Sequence, residues 1–320
     1  MKKFIASLLV CIMTVVMLAG CGAAVDGSGS PAPTKTAKPT PTPTPYPMKT
    51  LTPVPSYQSD ALYIDGDTGW KYGREQGGVV LYGYEGDEVD VTIPEELNVV
   101  LSGDTREVMP VVGLDSIALC YKRKIFEGNS VYYCDIEKLT IPDSFDSIPD
   151  DLFQQCDNLK EVSWKGFKVV NNIVYSKDMS ILYYCLNKDI ANVTIPSSVK
   201  TIAAGAFRGC MRLTKMDIPG TVEKIGNYAF YKCDKLRTVT LNEGVKSLGF
   251  EALTRCVNLE TLILPSSLES IGYAFFTPTQ KVKIHIEEGG FVDTYFKGIV
   301  DPETFFGEQM NIFDYIVYVN

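Results

Sequence analysis

Five short stretches from residue 139 onward place apolar residues at alternate positions in the same order and end on proline or asparagine. In four of them the second apolar residue recurs at a constant spacing of 23, at Ile195, Ile218, Leu241 and Leu264. Alternation with a period of two predicts a short strand with one buried face. A constant period of this size predicts a solenoid, in which each unit stacks on the next.

One unit of the pattern can be followed from Leu236 onward. Val239 and Leu241 are predicted to point inward from a short strand, and Thr240 outward. After Leu248 the apolar spacing becomes helix-like, so each unit is predicted to contain one short β-strand and a short helical turn. A single unit has too little apolar surface to offset its loss of chain entropy, so the units must stack and the two ends of the stack need caps.

The spacing of the stretches also predicts the domain limits. The repeats are expected to span residues 90–286, preceded by a capping hairpin within 56–89 and followed by a C-terminal cap at 287–320. The stretch around Ile141 precedes Ile195 by more than two periods. The excess contains two alternating runs around a polar turn, which predicts a hairpin inserted near 165–188 and protruding from the repeats.

The line I-P-x-x-V-x-x-I-G-x-x-A-F-x-x-C-x-x-L, found from Ile218 to Leu236, resembles that of the BspA-like leucine-rich-repeat surface proteins of bacteria. The resemblance covers roughly residues 90–286. It implies a leucine-rich-repeat solenoid, exposure at the cell surface and binding roles such as adhesion. It implies no catalytic residues.

The N-terminus carries an independent signal for export. Lys2 and Lys3 precede an apolar run from Phe4 to Leu18, and Leu18-Ala-Gly-Cys21 follows. This arrangement resembles a bacterial lipoprotein signal, which implies that residues 1–20 are removed and that Cys21 is lipidated. An ordinary signal peptide and an uncleaved membrane anchor are the alternatives. The lipoprotein interpretation predicts a protein anchored by lipid alone on the outer face of the cell membrane and exposed at the cell surface.

Residues 21–55 are predicted to be a linker, because nine prolines lie between residues 31 and 55 and alternate with threonine. Such a segment favours extended polyproline II and cannot form a core. The remaining residues, 56–320, carry 25 of the 30 basic residues and 38 of the 39 acidic ones, a net charge of −13. An acidic surface of this kind repels phosphate backbones, so nucleic acid is disfavoured as a partner.

Residue types that carry chemistry are sparse. Cys156, Cys210, Cys233 and Cys256 occupy one slot of successive units, and no two cysteines have the close spacing of a zinc site, so we expect a column of buried thiols. The lone histidine, His285, offers no catalytic triad. The sequence therefore predicts no enzyme, no metal site and no cofactor.

The outward positions of the strands are the better candidates for function, since repeat strands line extended binding surfaces. The candidate contact residues on these strands are Thr140, Thr194, Lys215, Asp217, Arg237, Thr240, Glu260 and His285. Aromatic contacts are predicted on the inserted hairpin, at Tyr175, Tyr183 and Tyr184. We expect an adhesin-like surface protein with a protein ligand outside the cell; the alternative is a carbohydrate or cell-wall binding module that would use the tyrosines or Trp164.

Overall fold

The computed structural model describes residues 63–102, 105–116, 118–119, 122–126, 129–277, 282–298 and 314–319. The chain divides into two units, Met1–Ser56 and Tyr57–Asn320, and every described residue belongs to the second. The predicted signal segment, the lipidation site at Cys21 and the proline-rich linker lie outside the described residues. Within the described ranges no helix is both long and apolar enough to cross a membrane.

The N-terminal part of the described chain contains eight strands, five of which form a mixed sheet. Its strands are β1 (Tyr63–Ile64), β2 (Trp70–Glu75), β3 (Gly78–Tyr84), β4 (Asp90–Thr92), β5 (Glu96–Ser102), β6 (Thr105–Leu114), β7 (Lys122–Phe126) and β8 (Asn129–Tyr133). Five of them form one sheet in the order β1-β2-β3-β6-β5, while β7 pairs with β8. The predicted hairpin is present as β2 and β3, and Trp70 and Tyr72 of β2 are buried. Its role as a cap stays a prediction.

The first repeat strands form a small parallel sheet. Strands β9 (Lys138–Thr140) and β10 (Glu161–Ser163) pair in parallel, and β4 pairs with the other edge of β9. Val91, Leu139 and Val162 stand opposite each other in this ladder and are all buried. Alternate residues of a strand point to opposite faces, so these three side chains close the core on one side.

The inserted segment consists of three strands, β11 (Phe167–Val170), β12 (Ile173–Ser176) and β13 (Ile181–Cys185), which pair in sequence as an antiparallel meander. We call these strands the insertion. The prediction that this segment protrudes from the repeats is wrong. Strand β13 pairs in parallel with β14 (Thr201–Ile202), the first strand of the following repeats, so the insertion belongs to the same seven-stranded sheet.

Strands β12 and β13 of the insertion are largely buried because they lie between two hydrophobic clusters. Ile173, Tyr175 and Leu182 pack into the C-terminal cluster. Tyr183 and Tyr184 pack into the N-terminal cluster. A strand with apolar residues on both faces is covered on both sides. All three tyrosines predicted as surface contacts, Tyr175, Tyr183 and Tyr184, are therefore core residues, with relative exposures of 2 %, 5 % and 1 %.

Residues 201–286, which we call the regular stack, form two parallel ladders. The further strands are β15 (Lys215–Ile218), β16 (Lys224–Ile225), β17 (Thr238–Leu241), β18 (Ser247–Leu248), β19 (Thr261–Ile263), β20 (Ser270–Ile271) and β21 (Lys283–Glu287). One ladder runs through β15, β17, β19 and β21, and the other through β14, β16, β18 and β20. Paired residues such as Met216 and Val239, or Ile225 and Leu248, are 23 positions apart in the sequence.

Each unit of the regular stack thus contains two short strands, and the predicted helical turn is wrong. After the second strand the chain runs through tight turns with two residues at positive φ per unit. These are Tyr228 and Lys232 in one unit, and Glu251 and Arg255 in the next. A right-handed helix cannot contain left-handed residues, so the apolar positions that follow the second strand are brought inward by turns instead.

Close stacking of these turns requires glycine at one position. A Cβ on Gly226 would lie 2.5 Å from the backbone nitrogen of Ala204 in the preceding unit, and a Cβ on Gly249 would lie 2.5 Å from that of Asn227. A Cβ on Gly272 would lie 2.3 Å from the Phe250 nitrogen. The backbones of successive units therefore touch at this slot, which explains the Ile-Gly pair in the repeated line.

The stretch at Val193–Ile195 differs from its counterparts, because its residues form no strand. Ile195 is buried as the pattern predicts, but Thr194 is exposed in irregular chain. The insertion precedes this stretch and provides no first-ladder strand with which it could pair. The first ladder consequently starts at β15, separate from the small sheet of β9 and β10.

The C-terminal residues cover the last unit. Helix α1 (Phe291–Lys297) places Phe296 against the core, and strand β22 (Ile316–Val319) pairs in parallel with β21. The buried Asp293 carboxylate accepts hydrogen bonds from Lys297 Nζ at 2.7 Å and from the Tyr318 hydroxyl at 2.9 Å. These contacts join the helix to the last strand, and function as a cap stays a prediction.

Candidate binding surface

The outward face of the first ladder, which we call the first-strand face, was the surface predicted to bind a partner. Lys215, Asp217 and Arg237 are exposed there, and Thr140, Thr240, Glu260 and His285 are half-buried. Thr240 and His285 lie in the ladder of β15 to β21, whereas Thr140 lies in the separate sheet of β9. The structure therefore brings most of the predicted residues onto one ladder but leaves Thr140 and Thr194 apart from it.

Two of the charged residues on the first-strand face, Asp217 and Arg237, have partners on the same face. Arg237 donates to the Glu260 carboxylate one unit further along. Asn242 Nδ2 donates to Asp217 Oδ1 at 2.7 Å. On the separate small sheet, Lys138 lies 3.6 Å from Asp90 and 3.7 Å from Glu161. Exposed pairs of this kind add little stability, and each one offsets a charge that could otherwise contact a partner.

A second surface, formed by the turns of the regular stack, carries a cluster of aromatic and cationic side chains that the sequence analysis missed. We call it the turn-face cluster. Its members are Tyr228, Tyr231, Phe250, Tyr273, Arg208, Lys232 and Arg255. None of its rings is fully buried, and Tyr273 is 63 % exposed.

The rings of the turn-face cluster form a continuous row across three units. Tyr228 packs edge-to-face against Tyr231, with centroids 5.7 Å apart, and against Phe250 at 5.4 Å. Phe250 and Tyr273 occupy the same slot of successive units, and their rings are nearly parallel at 6.5 Å. Because each ring supports the next, the row presents a rigid apolar surface.

Three cations surround the ring of Tyr231. Its centroid lies 4.7 Å from the Arg208 guanidinium, 5.6 Å from that of Arg255 and 5.7 Å from Lys232 Nζ. Arg208 pairs with Asp157 at 2.7 Å. Within the described part of the chain Lys232 and Arg255 form no ion pair. Cation–π contact stabilises the group only partly, so a local excess of positive charge remains on a chain that is acidic overall.

The carboxyl group of Glu251 lies near these cations, and its pKa reflects both burial and their charge. Burial raises the pKa of Glu251, and the neighbouring Arg255 and Arg208 act in the opposite direction. Glu251 therefore lies close enough to Arg255 and Arg208 to offset part of their charge, although it forms no ion pair with either of them within the described residues.

The residues of this cluster could have been found in the sequence, but they lie at surface positions of the repeat and not at the apolar core positions that the sequence analysis compared. Positions 208, 231 and 254 are equivalent in the repeat, as are 227, 250 and 273. Tyr231 lies in the first of these slots, and Phe250 and Tyr273 lie in the second. A comparison of the surface slots, in addition to the core slots, would have revealed the aromatic row.

The hairpin tyrosines are not available for binding, which corrects the prediction. The Tyr184 hydroxyl donates to the carbonyl oxygen of Cys156, and burial raises the pKa of Tyr184 well above its usual value. Burial also raises the pKa of Tyr183 to about 12 and that of Tyr175 above its normal range. Trp164, the other residue considered for carbohydrate contact, is half-buried and packs edge-to-face against Phe167 at 5.0 Å.

Metal ligands are not gathered in the described residues, where no group of three or more His, Cys, Asp or Glu side chains could hold an ion. His285 is half-buried on β21, opposite Ile263 of β19. The predicted column of cysteines is confirmed as buried at Cys156, Cys210, Cys233 and Cys256.

Comparisons with solved structures give weak similarities to bacterial leucine-rich repeat proteins. The pneumococcal vaccine antigen PcpA is 18 % identical, with 71 % of this chain and 81 % of that chain covered and a TM-score of 0.37. A leucine-rich cell surface protein of Faecalibacterium prausnitzii is 15 % identical over 72 % of this chain and 89 % of the other, with a TM-score of 0.35. A leucine-rich repeat protein of Bacteroides ovatus is 17 % identical, with coverages of 71 % and 65 % and a TM-score of 0.33.

A comparison with curated proteins finds no match. The family model of the BspA type leucine-rich repeat region matches residues 111–183 and 179–296, with six copies of the repeat. These residues include β9 and β10 of the small sheet, the insertion, the regular stack and most of α1. Because the match covers more than half of the chain, this protein belongs to the BspA-type leucine-rich repeat family.

Proposed function

We propose that this chain is a non-catalytic, adhesin-like surface protein that binds an acidic protein partner through its turn-face cluster. The observation that carries the proposal is the set of three cations around Tyr231, two of which form no ion pair with a described residue. Tyrosine and arginine are the residue types that most often dominate the energy of protein interfaces. Carboxylates of a partner would supply the missing counter-charge.

The proposal favours a protein over a glycan for a geometric reason. A sugar ring binds by stacking on an open aromatic face, but cations already contact the ring of Tyr231. Phe250 and Tyr273 extend the apolar surface next to the cations and suit the aliphatic or aromatic side chains that flank acidic residues in a protein.

The predicted solenoid, lipid anchor and linker together determine where the turn-face cluster would lie relative to the cell. We propose that the 23-residue units form one solenoid over residues 90–286, capped by the hairpin at 56–89 and by residues 287–320. The lipoprotein-like signal supports export and anchoring through Cys21, with the proline-rich residues 21–55 as an extended spacer. In this arrangement the turn-face cluster is presented outside the cell.

The test is a binding screen of the full chain against extracellular-matrix proteins, mucin glycans, purified cell wall and polyglutamate at two salt concentrations. The double variant Lys232→Glu/Arg255→Glu reverses the charge of the turn-face cluster. The matched control, Lys215→Glu/Arg237→Glu, makes the same change in charge on the first-strand face. We expect the first variant to weaken binding of acidic proteins at least about tenfold, a loss of about 1.4 kcal/mol, and to reduce its salt dependence.

The control variant is expected to change affinity less than about twofold, since the charge it alters lies on another face. Loss of binding in the control alone would transfer the function to the first-strand face. Binding to glycans or cell wall that neither variant affects would instead support the carbohydrate module. Circular dichroism of each variant establishes that the fold is retained.

A further inference from the structure

The sheet of β1, β2, β3, β6 and β5 has one face in the core and one face outside it. Val79 of β3, Leu97 and Val99 of β5 and Val111 of β6 are buried in the N-terminal hydrophobic cluster. Residues that alternate with them along the strands point to the opposite face of the sheet. That second face points away from the cluster and toward solvent.

The second face is apolar, although a sheet face in water is normally polar. Val108 and Val112 of β6 are 56 % and 50 % exposed, and Pro110 between them is exposed as well. Val112 lies over Gly78 of β3, since a Cβ on that glycine would be 2.6 Å from Val112 Cγ1. We call the apolar residues of this surface the outer sheet face; they are Val80, Tyr82, Val100, Val108, Pro110 and Val112.

The outer sheet face has the properties of an interaction surface. Neither hydrophobic cluster of the described residues includes any of its six members. The three strands that carry them pair with one another, so the side chains are held on one firm surface. A contiguous exposed apolar patch with a polar rim is typical of a surface that contacts another protein.

Two opposite charges border the outer sheet face at its two ends. Arg106 pairs with Val100 across the strands and Glu96 pairs with Pro110, so both charged side chains project on the same side as Val108. The two levels are separated by about 13 Å along β6. Arg106 and Glu96 are exposed, and neither forms an ion pair with a described residue.

This distribution of charge fits a second copy of the chain better than a partner of one sign. An acidic partner attracted by Arg106 would be repelled by Glu96, and a basic partner would meet the reverse. A twofold axis that crosses the strands at the level of Val108 brings Arg106 of each copy next to Glu96 of the other. Two sheets can pack in this way with their faces about 10 Å apart.

We propose that two copies of this protein associate through the outer sheet face, with Val108 at the twofold axis and Arg106 paired with Glu96 across the interface. The apolar side chains lose their contact with water, which favours association. The two charge pairs fix the relative direction of the sheets, since an axis along the strands would bring like charges to the same level.

The test is sedimentation equilibrium of the full chain, which measures the dissociation constant of the dimer. Arg106→Glu and Glu96→Arg each place like charges at both cross-interface contacts. We expect either variant alone to raise the dissociation constant at least about tenfold. In an equal mixture, a dimer with one copy of each variant has unlike charges at both contacts, so its dissociation constant should lie within about twofold of the parent value.

A chemical cross-link tests the position of the axis. Val108→Cys places a thiol near the axis, and a short bismaleimide reagent should join two copies of this variant well beyond the level seen in the parent chain. Val169→Cys is the matched control, because Val169 is similarly exposed but lies on β11 in another sheet. We expect the control to cross-link no more than the parent does.

Three results would overturn the proposal. A parent chain that stays monomeric up to its solubility limit would leave the outer sheet face to a partner of other chemistry. Association that neither charge variant weakens would place the contact elsewhere, and a mixture that associates no better than the single variants would exclude the contact between Arg106 and Glu96. If a charge variant does not fold, as judged by circular dichroism, the cross-link at Val108 decides.

The outcome is independent of the proposed partner binding, because the two surfaces lie on different elements of the chain. The turn-face variant Lys232→Glu/Arg255→Glu should associate with itself as the parent does. Conversely, Arg106→Glu should retain the binding of acidic proteins in the screen, so failure of one proposal leaves the other standing.

Discussion

The regular stack and the insertion both continue the same sheet, but their contacts obey different rules. In the regular stack each unit meets a copy of itself, so the same contact recurs every 23 residues, as between Lys224 and Ser247. In the insertion, β13 meets β14 once, and the opposite faces of β12 and β13 cover two different clusters. In the regular stack each kind of contact between units occurs several times. The contacts that hold the insertion in place each occur only once.

Glycine and alanine at one slot show the consequence of this difference. Gly226, Gly249 and Gly272 touch the backbone of a preceding unit. Ala203 occupies the equivalent position in the first unit, and its amide donates to the Leu182 carbonyl of the insertion at 2.9 Å. A methyl group is accommodated where the neighbour is a strand of the insertion but not where it is another turn. Whether this position holds glycine or alanine therefore depends on the element against which it packs, a preceding turn or a strand of the insertion.

The largest expected effect is that of Gly249→Ala in the regular stack. The new Cβ would lie 2.5 Å from the backbone of the preceding unit at Asn227, and backbone cannot move away without disturbing both ladders. We expect the free energy of unfolding to fall by about 3 kcal/mol, at the upper end for overpacking. Urea unfolding of the full chain measures it.

Gly66→Ala is the matched control for this substitution, because a Cβ at Gly66 meets nothing within 4 Å. We expect its stability to lie within about 0.5 kcal/mol of the parent, as for most surface substitutions. Equal losses in the two variants would show that the glycine slot is not a site of close backbone contact.

A second prediction concerns the single contacts of the insertion. Tyr184→Phe removes the hydroxyl that donates to the Cys156 carbonyl and leaves this buried acceptor without that bond. We expect a loss of about 1–3 kcal/mol in the free energy of unfolding. Tyr183→Phe is the control on the neighbouring residue, since the Tyr183 side chain is equally part of the core but its hydroxyl donates no hydrogen bond within the described residues.

Thermal and urea unfolding of the two phenylalanine variants separate the effect of losing the hydrogen bond from the effect of any substitution in this part of the core. A small effect in Tyr183→Phe with a large one in Tyr184→Phe supports the single-contact description of the insertion. Equal small effects would show that the insertion is as tolerant as the regular stack, which would remove the contrast between the two regions.

The repeat lines were predictable because their signal is long and repeated. Period-two alternation at Met216–Ile218 and Val239–Leu241 predicted strands that the structure contains, and the 23-residue spacing predicted their pairing register. The second strands were missed because two residues, as in Lys224–Ile225, are too few to show a period. Residues at positive φ such as Tyr228 and Lys232 were also hidden, since neither residue type marks a left-handed turn.

The burial of the insertion and the existence of the turn-face cluster were missed in the sequence for different reasons. Ile181 to Cys185 is a continuous apolar run, which is typical of a strand covered on both faces, so burial of its tyrosines was available from the sequence. The cations around Tyr231 follow from the 23-residue register, since Arg208 shares a slot with Tyr231 and Lys232 shares one with Arg255, but the sequence analysis compared only the core slots.

The smallest expected effect is that of Ala203→Gly, which places the glycine of the later units into the first one. The Ala203 side chain is 1 % exposed and packs with the N-terminal cluster, so its loss removes one buried methyl and adds backbone freedom. We expect a decrease of about 1 kcal/mol in the free energy of unfolding. The reciprocal change at Gly249 should cost about three times as much. If Ala203→Gly instead stabilised the chain, the first turn would stack on the insertion as closely as the later turns stack on each other, and the two regions would follow one rule.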